Sequence, residues 1–191
     1  MKIPNDKRLI IIEGIAGSGK STFINILKNN FKNKKVYTFT EEELLMTWKH
    51  VFLNDINELR LNYLNKLIDF IELKLLEDNN TVFILERFHL TLKIFFIDDN
   101  KELLSMYNQL LSRITRLPVL ILIPILKDSG INERSMHKER DLQWKEYLDN
   151  KLNNRGYDDL KKMYKDEQKL LMDLANKQGI PYKIIKAIRK C

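Results

Sequence analysis

Short, unbroken apolar runs alternate along this chain with longer stretches in which apolar residues recur every three or four positions. Leu9–Ile12 is apolar without alternation, the pattern of a strand covered on both faces. Lys20–Phe31 follows with Phe23, Ile24, Ile26, Leu27 and Phe31 at helical spacing. Val36–Thr40 reads as a second strand. Residues 44–77 read as mostly helical, in two helices broken near Asn54-Asp55. The second of these carries one stripe of Leu61, Leu64, Leu67, Ile68, Ile71 and Leu75. Asp78-Asn79-Asn80 is a turn before a third strand, Thr81–Leu85. Helix is expected from about Phe88 to Ile114, with a break at Asp98-Asp99-Asn100. Val119–Ile123 reads as a fourth strand, Ser135–Leu152 and Asp158–Lys177 as helices, and Pro181–Lys186 as a last strand after the stop at Gly179. The run Ile94–Ile97 followed by Asp98-Asp99 imitates a strand ending in acid. It begins only seven residues after Arg87, too soon for a parallel crossover, so helix is expected there.

Strand and helix alternating five times predict an α/β fold, a five-stranded parallel sheet with helices on both faces. The 191 residues suit a single domain. Six glycines and four prolines exclude collagen-like and linker classes, and an apolar fraction of 44% excludes a disordered chain. A single cysteine, Cys191, excludes an intramolecular disulfide framework and a multi-cysteine zinc site. The longest apolar run, Leu117–Leu126, is too short to cross a bilayer as a helix, and the first residues lack a secretory apolar core. No membrane partner and a reducing, cytoplasmic setting are the expectations. The formal charge of +7 fits either a phosphate-rich ligand or plain surface lysine. No basic stripe with interleaved aromatics is present, so nucleic acid is not the expected partner.

Ligands of such sheets bind beyond the carboxyl ends of the strands. At the end of the first strand stands Gly14-Ile15-Ala16-Gly17-Ser18-Gly19-Lys20-Ser21-Thr22, a full Gly-x-x-x-x-Gly-Lys-Ser/Thr pattern between a strand and a helix. Glycines let the backbone curl around an anion with its N–H groups inward, and the helix start adds a positive dipole end. The Lys20 ammonium suits the β- and γ-phosphates and the Ser21 hydroxyl suits Mg²⁺. The predicted ligands are therefore a nucleoside triphosphate, taken as ATP with GTP left open, and Mg²⁺, with Gly14, Ala16, Gly17, Ser18, Gly19, Lys20, Ser21 and Thr22 forming the cradle.

The other strand ends carry charge. The second runs into Glu41-Glu42-Glu43 and then Trp48; the third runs into Glu86-Arg87-Phe88. A carboxylate beside a transferred phosphoryl group serves as proton acceptor or metal ligand, and an arginine there stabilises oxygen charge. A glutamate run also suits a helix N-terminus. After the fourth strand, Arg134, Lys138 and Arg140 lie on a predicted helix that would close over a triphosphate; a solvated surface helix is the other use of such charges.

Together these segments resemble the deoxynucleoside kinase and thymidylate kinase group of P-loop kinases, over nearly the whole chain in element order. Glu43 with Trp48 resembles the family's Glu-Pro-x-x-x-Trp, Glu86-Arg87-Phe88 its Glu-Arg-Ser or Asp-Arg-Tyr, and Arg134-x-x-x-Lys138-x-Arg140 its lid Arg-x-x-x-Arg-x-Arg. The resemblance implies a P-loop nucleoside triphosphate hydrolase fold of the nucleoside/nucleotide kinase type over residues 1–191, with a helical lid at about 130–145. It implies Glu43 as base, with Glu41 and Glu42 of the same run left open for that role, Glu86 with Ser21 at Mg²⁺, Arg87 at the acceptor, and Lys20, Arg134, Lys138 and Arg140 on the phosphates. Leu44 stands in place of the proline, Leu142-Gln143 in place of the acidic pair after the lid, and the thymidylate kinases' Arg-Glu-Pro is absent. The base-reading glutamine has no obvious counterpart; Asn62 and Asn65 are the nearest polar residues.

The expected activity is transfer of the ATP γ-phosphoryl group to a hydroxyl of a small-molecule acceptor, first the 5′-OH of a (deoxy)nucleoside. A nucleoside monophosphate, with Arg60 and Lys66 as extra cations, and a non-nucleoside hydroxyl compound such as an antibiotic are the alternatives. A nucleotide-dependent switch and a polynucleotide-end kinase rank below them. The 61–75 stripe suits a helix-paired homodimer and core packing equally.

Overall fold

The computed structural model describes residues 3–47, 55–97, 100–127, 129–131, 146, 149–150, 152–153 and 155–187. In chain order its elements are β1 (Leu9–Ile12), α1 (Lys20–Asn30), β2 (Lys35–Phe39), α2 (Glu41–Leu44), α3 (Ile56–Glu77) and β3 (Thr81–Glu86). There follow α4 (His89–Phe96), α5 (Lys101–Ile114), β4 (Val119–Ile125), α6 (Leu160–Lys177) and β5 (Tyr182–Lys186). The five strands form one sheet in the order β2-β3-β1-β4-β5, every pair parallel.

The two faces of the sheet explain the unbroken apolar runs. Ile10, Ile12, Val82, Ile84, Leu120 and Leu122 point one way and pack with Phe23, Ile24 and Leu27 of α1. Leu9, Ile11, Phe83, Leu85, Val119 and Ile121 point the other way, into a larger core with α3, α4, α5 and α6. The stripe Leu61, Leu64, Leu67, Ile68, Ile71 and Leu75 is buried in that second core. Core packing, rather than a paired copy, accounts for the stripe.

Most expected boundaries hold within a residue or two. The 44–77 segment differs: α2 starts earlier, at Glu41, because Thr40 and Glu43 form a capping box. The expected break at Asn54 lies in residues 48–54, outside the described residues, and α3 starts at Ile56. The Ile94–Phe96 run is helical, as its distance from β3 requires. The Ser135–Leu152 helix falls mostly outside the described residues.

Strand β4 runs two residues past Ile123, through Pro124. Odd-numbered residues of β4 bond toward β5, through Ile121 N–H to Pro181 and the Ile125 carbonyl to Ala187. Even-numbered ones face β1, where the Leu122 carbonyl accepts Glu13 N–H at 2.9 Å. Pro124 has no N–H to offer and faces the β1 side just past the last paired residue, Ile12, where the β1–β4 ladder ends. The proline instead walls the loop after β1.

Among the described residues, no helix is long and apolar enough to cross a membrane.

Candidate active site

The order β2-β3-β1 places the ends of three strands side by side, with Ile12 in register with Glu86. The loop after β1 curls there over the start of α1. Gly17 and Gly19 have φ of 78° and 88°, and Gly19 is the N-cap of α1. This is backbone that side-chain-bearing residues rarely adopt. Gly14 is required for a second reason. A Cβ there would lie 2.8 Å from Ser18 Oγ and 3.1 Å from the Pro124 carbonyl oxygen, so any side chain would force the loop off β4.

Lys20 is buried inside this loop, its Nζ donating to the Ile15 carbonyl at 3.4 Å. Burial, and then the nearby Arg87 charge, push its pKa down from 10.5 to about 8, against an upward pull from Glu41, Glu86 and Glu167. Ser18 Oγ is also buried and has no hydrogen-bond partner among the described residues. A depressed ammonium beside an unpartnered donor, at a helix start, is a cradle shaped for an anion. The geometry fits the phosphates of a nucleotide. Ala16 packs partly buried against the small cluster of Ile15, Leu126 and Tyr164, while Ser21 is exposed and Thr22 partly so.

Ser21 Oγ donates to Glu86 Oε1 at 3.3 Å across the gap between α1 and β3. A hydroxyl and a carboxylate at this spacing are hard oxygen ligands of the kind Mg²⁺ takes when phosphates and water complete its shell. The two residues that the sequence suggests for the metal are thus neighbours.

The charges at the ends of β2 and β3 meet through Glu41. Arg87 Nε lies 3.1 Å from Glu41 Oε2, with Arg87 almost wholly buried and Glu41 about a quarter exposed. Glu43 folds back on Thr40. Its Oε2 accepts from Thr40 N–H at 2.8 Å and from Thr40 Oγ1 at 3.0 Å, while Glu43 N–H donates to Thr40 Oγ1 at 3.4 Å. Glu43 therefore occupies the third position of a helix cap, and Glu41 is the carboxylate facing Arg87. Two residues of the glutamate run thus have separate roles, one capping and one pairing.

Two buried groups escape the sequence reading. Glu13, immediately before Gly14, is completely buried, and its pKa is raised by burial against the hydrogen bonds it accepts. The sequence does carry a signal for it, since a lone carboxylate ending an all-apolar strand has to be satisfied by something. His89, at the start of α4, bonds Gln178 through Nε2 at 2.9 Å, and Gln178 Nε2 donates to Tyr107 Oη at 2.6 Å. This chain ties α4 and α5 to the end of α6. With Gln178 Oε1 as the acceptor, His89 Nε2 is the donating nitrogen.

Burial pushes the His89 pKa down from 6.5 to about 4. Below pH 6.5 the unfolded chain takes up a proton that the folded chain refuses. Stability is therefore lost as pH falls from about 6.5 to about 4, by roughly 3 kcal/mol for this group. Glu13 works in the opposite sense, because its raised pKa favours the folded chain as acid is added. The His89 part is read as a difference: melting temperatures of wild type and His89→Gln should diverge between pH 6.5 and 4, with wild type falling faster. Parallel curves would rule out the assignment.

The remaining candidates divide. Arg134, Lys138 and Arg140 of the expected lid, Trp48 and His137 lie outside the described residues. Arg60 is buried on α3, donating to the Leu45 carbonyl at 3.2 Å and to Asn57 at 2.6 Å, with its guanidinium 4.4 Å from the Phe96 ring centroid. Lys66 points outward and pairs with Asp69 at 3.2 Å. Asn65 donates to the Leu61 carbonyl and accepts from Arg113, while Asn62 is exposed.

No family model matches the sequence, and no curated protein matches it. Solved structures do. The YorR protein of Bacillus subtilis, solved in complex with phosphorylated GDP, superposes with a TM-score of 0.55 at 18% identity, over 94% of this chain and 85% of its own. Thymidylate kinase from Ehrlichia chaffeensis gives 0.52 at 15% identity, over 94% and 92%. Thymidylate kinase from Candida albicans gives 0.52 at 20% identity, over 94% and 83%. The chain shares with these proteins the P-loop nucleoside triphosphate hydrolase fold. In that fold the loop 14–22 sits at the mouth of the central strand, and the ends of β2 and β3 flank it. A shared fold at this identity does not carry over a substrate.

Proposed function

We propose that this protein is a kinase that transfers the γ-phosphoryl group of ATP to a hydroxyl of a small-molecule acceptor, first the 5′-OH of a (deoxy)nucleoside. The observation that carries the reading is the convergence of an anion cradle holding Lys20, the oxygen pair Ser21–Glu86 and the ion pair Arg87–Glu41 at three adjacent strand ends. Each part meets a separate need of phosphoryl transfer, which is mostly positioning and charge stabilisation.

The loop N–H groups and Lys20 would bind the β- and γ-phosphates and hold the donor in line. Ser21 and Glu86 would hold Mg²⁺, which neutralises phosphate charge when bound. Glu41 would accept the proton of the acceptor hydroxyl as the new P–O bond forms and the bond to the β-phosphate oxygen breaks. Arg87 would hold that carboxylate in place, and would meet charge on the migrating phosphoryl oxygens. Arg134, Lys138 and Arg140 are proposed to cover the phosphates from the lid and exclude water. Residues 1–191 would act as one domain.

A nucleoside monophosphate acceptor is the second reading. The thymidylate kinases among the structural neighbours favour it. Against it, the two cations suggested for an acceptor phosphate are engaged elsewhere among the described residues, Arg60 with Leu45, Asn57 and Phe96, and Lys66 with Asp69. Comparing kcat/KM for matched nucleosides and their monophosphates decides between them. The nucleoside is expected to win by at least about tenfold for one base, a difference of roughly 1.4 kcal/mol. A reversed preference would transfer the reading to the monophosphate, and activity only with a non-nucleoside would overturn both.

A further inference from the structure

We infer that Glu13 is a positioning residue for Arg87: its buried carboxylate gathers the backbone that follows Arg87 and so fixes the guanidinium against Glu41. Glu13 Oε1 accepts from Phe88 N–H at 2.8 Å, from Leu90 N–H at 3.1 Å and, at the limit of bonding, from Thr91 N–H at 3.5 Å. Its Oε2 accepts from Thr91 Oγ1 at 2.5 Å. One residue earlier, the Ile12 carbonyl accepts Arg87 N–H at 2.9 Å. Consecutive residues at the end of β1 therefore grip consecutive residues after β3.

Between these two grips Arg87 takes φ 56°, the only positive φ at a non-glycine among the described residues. Such backbone is strained for an ordinary residue and persists only where the surroundings impose it. The imposed turn is what carries the Arg87 side chain to Glu41, at the end of the strand next to β3. Glu13 leads directly into Gly14, so the residue that fixes Arg87 also begins the phosphate cradle. Loop and arginine are thus held in one frame.

A carboxylate that merely neutralises a helix start would act through its charge. A carboxylate that positions would act through its reach. Glu13→Asp keeps the charge and withdraws the oxygens by one methylene, while Glu13→Gln keeps the reach and an accepting oxygen. The kinetic part of the test rests on the kinase reading above. Glu13→Asp is expected to lower kcat by more than about tenfold with KM for ATP within about twofold, and Glu13→Gln to lose about threefold or less. In an Arg87→Ala background, Glu13→Asp should cost less than about twofold further, because the residue acts through Arg87.

A second readout needs no activity. In ¹⁵N spectra of the full chain, the Arg87 Nε–H resonance, assigned by its loss in Arg87→Ala, should move in Glu13→Asp toward the position of solvent-exposed arginines. If Glu13→Asp does not fold, Thr91→Val removes one of the four donors and should move the same resonance in the same direction. An unmoved resonance, or a kcat loss of equal size with and without Arg87, would overturn the inference. Absence of any acceptor-dependent turnover in wild type would overturn the kinase reading alone, and the resonance would still decide the role of Glu13.

Discussion

Lys20→Ala is expected to lower kcat for phosphoryl transfer by at least about a thousandfold while leaving the fold intact. Removing one donor aimed at developing oxygen charge costs about a hundred- to a thousandfold in enzymes that rely on such groups. Lys20 is more than one donor among equals. It is the buried cation of the cradle, and its depressed pKa shows that the loop holds it charged at a cost. Phosphate would relieve that cost, so the lysine stabilises the bound state more than the free one. The same argument makes a second prediction of opposite sign. Without nucleotide, Lys20→Ala should melt at or above the wild-type temperature, because a poorly compensated buried charge is gone. Thermal melts with and without ATP check both halves; wild-type turnover, or a large loss of stability without nucleotide, would contradict the assignment.

The glutamate run supplies the second large effect. Glu41→Gln is expected to lower kcat by about a hundred- to ten-thousandfold, the range for losing a positioned general base, with KM for ATP unchanged. Glu43→Gln is expected to keep kcat within a few-fold of wild type and to reduce stability by about 1 kcal/mol, since only the cap at Thr40 is weakened. Steady-state kinetics on the two variants, with chemical denaturation of each, separate the roles. If Glu43→Gln loses the rate and Glu41→Gln keeps it, the base is the capping residue, and the Arg87–Glu41 pair is structural.

These two cases mark where the sequence is readable. The cradle is legible because the residues of 14–22 that define it act locally. Its glycines serve φ and close approach, its lysine brings charge, and its serine stands at the helix start. The sheet is legible because unbroken apolar runs have one common use, burial on both faces. The pairing of Glu41 rather than Glu43 with Arg87 is not. Three adjacent carboxylates look alike until the phase of α2 is known, and that phase is set by a cap in which Glu43 itself takes part. Glu13 is legible in principle as an unexplained charge at the end of β1, but its partners lie more than seventy residues away. The His89–Gln178–Tyr107 chain joins three separated segments, so no local pattern announces it.

The central claim is that the phosphoryl group goes to an acceptor hydroxyl. The most direct test follows the label of γ-labelled ATP with Mg²⁺ across a panel of nucleosides, nucleoside monophosphates and non-nucleoside hydroxyl compounds. The account predicts label in a nucleoside product, with little inorganic phosphate released when the acceptor is absent. Label appearing only as inorganic phosphate, at a rate that no acceptor changes, would contradict it.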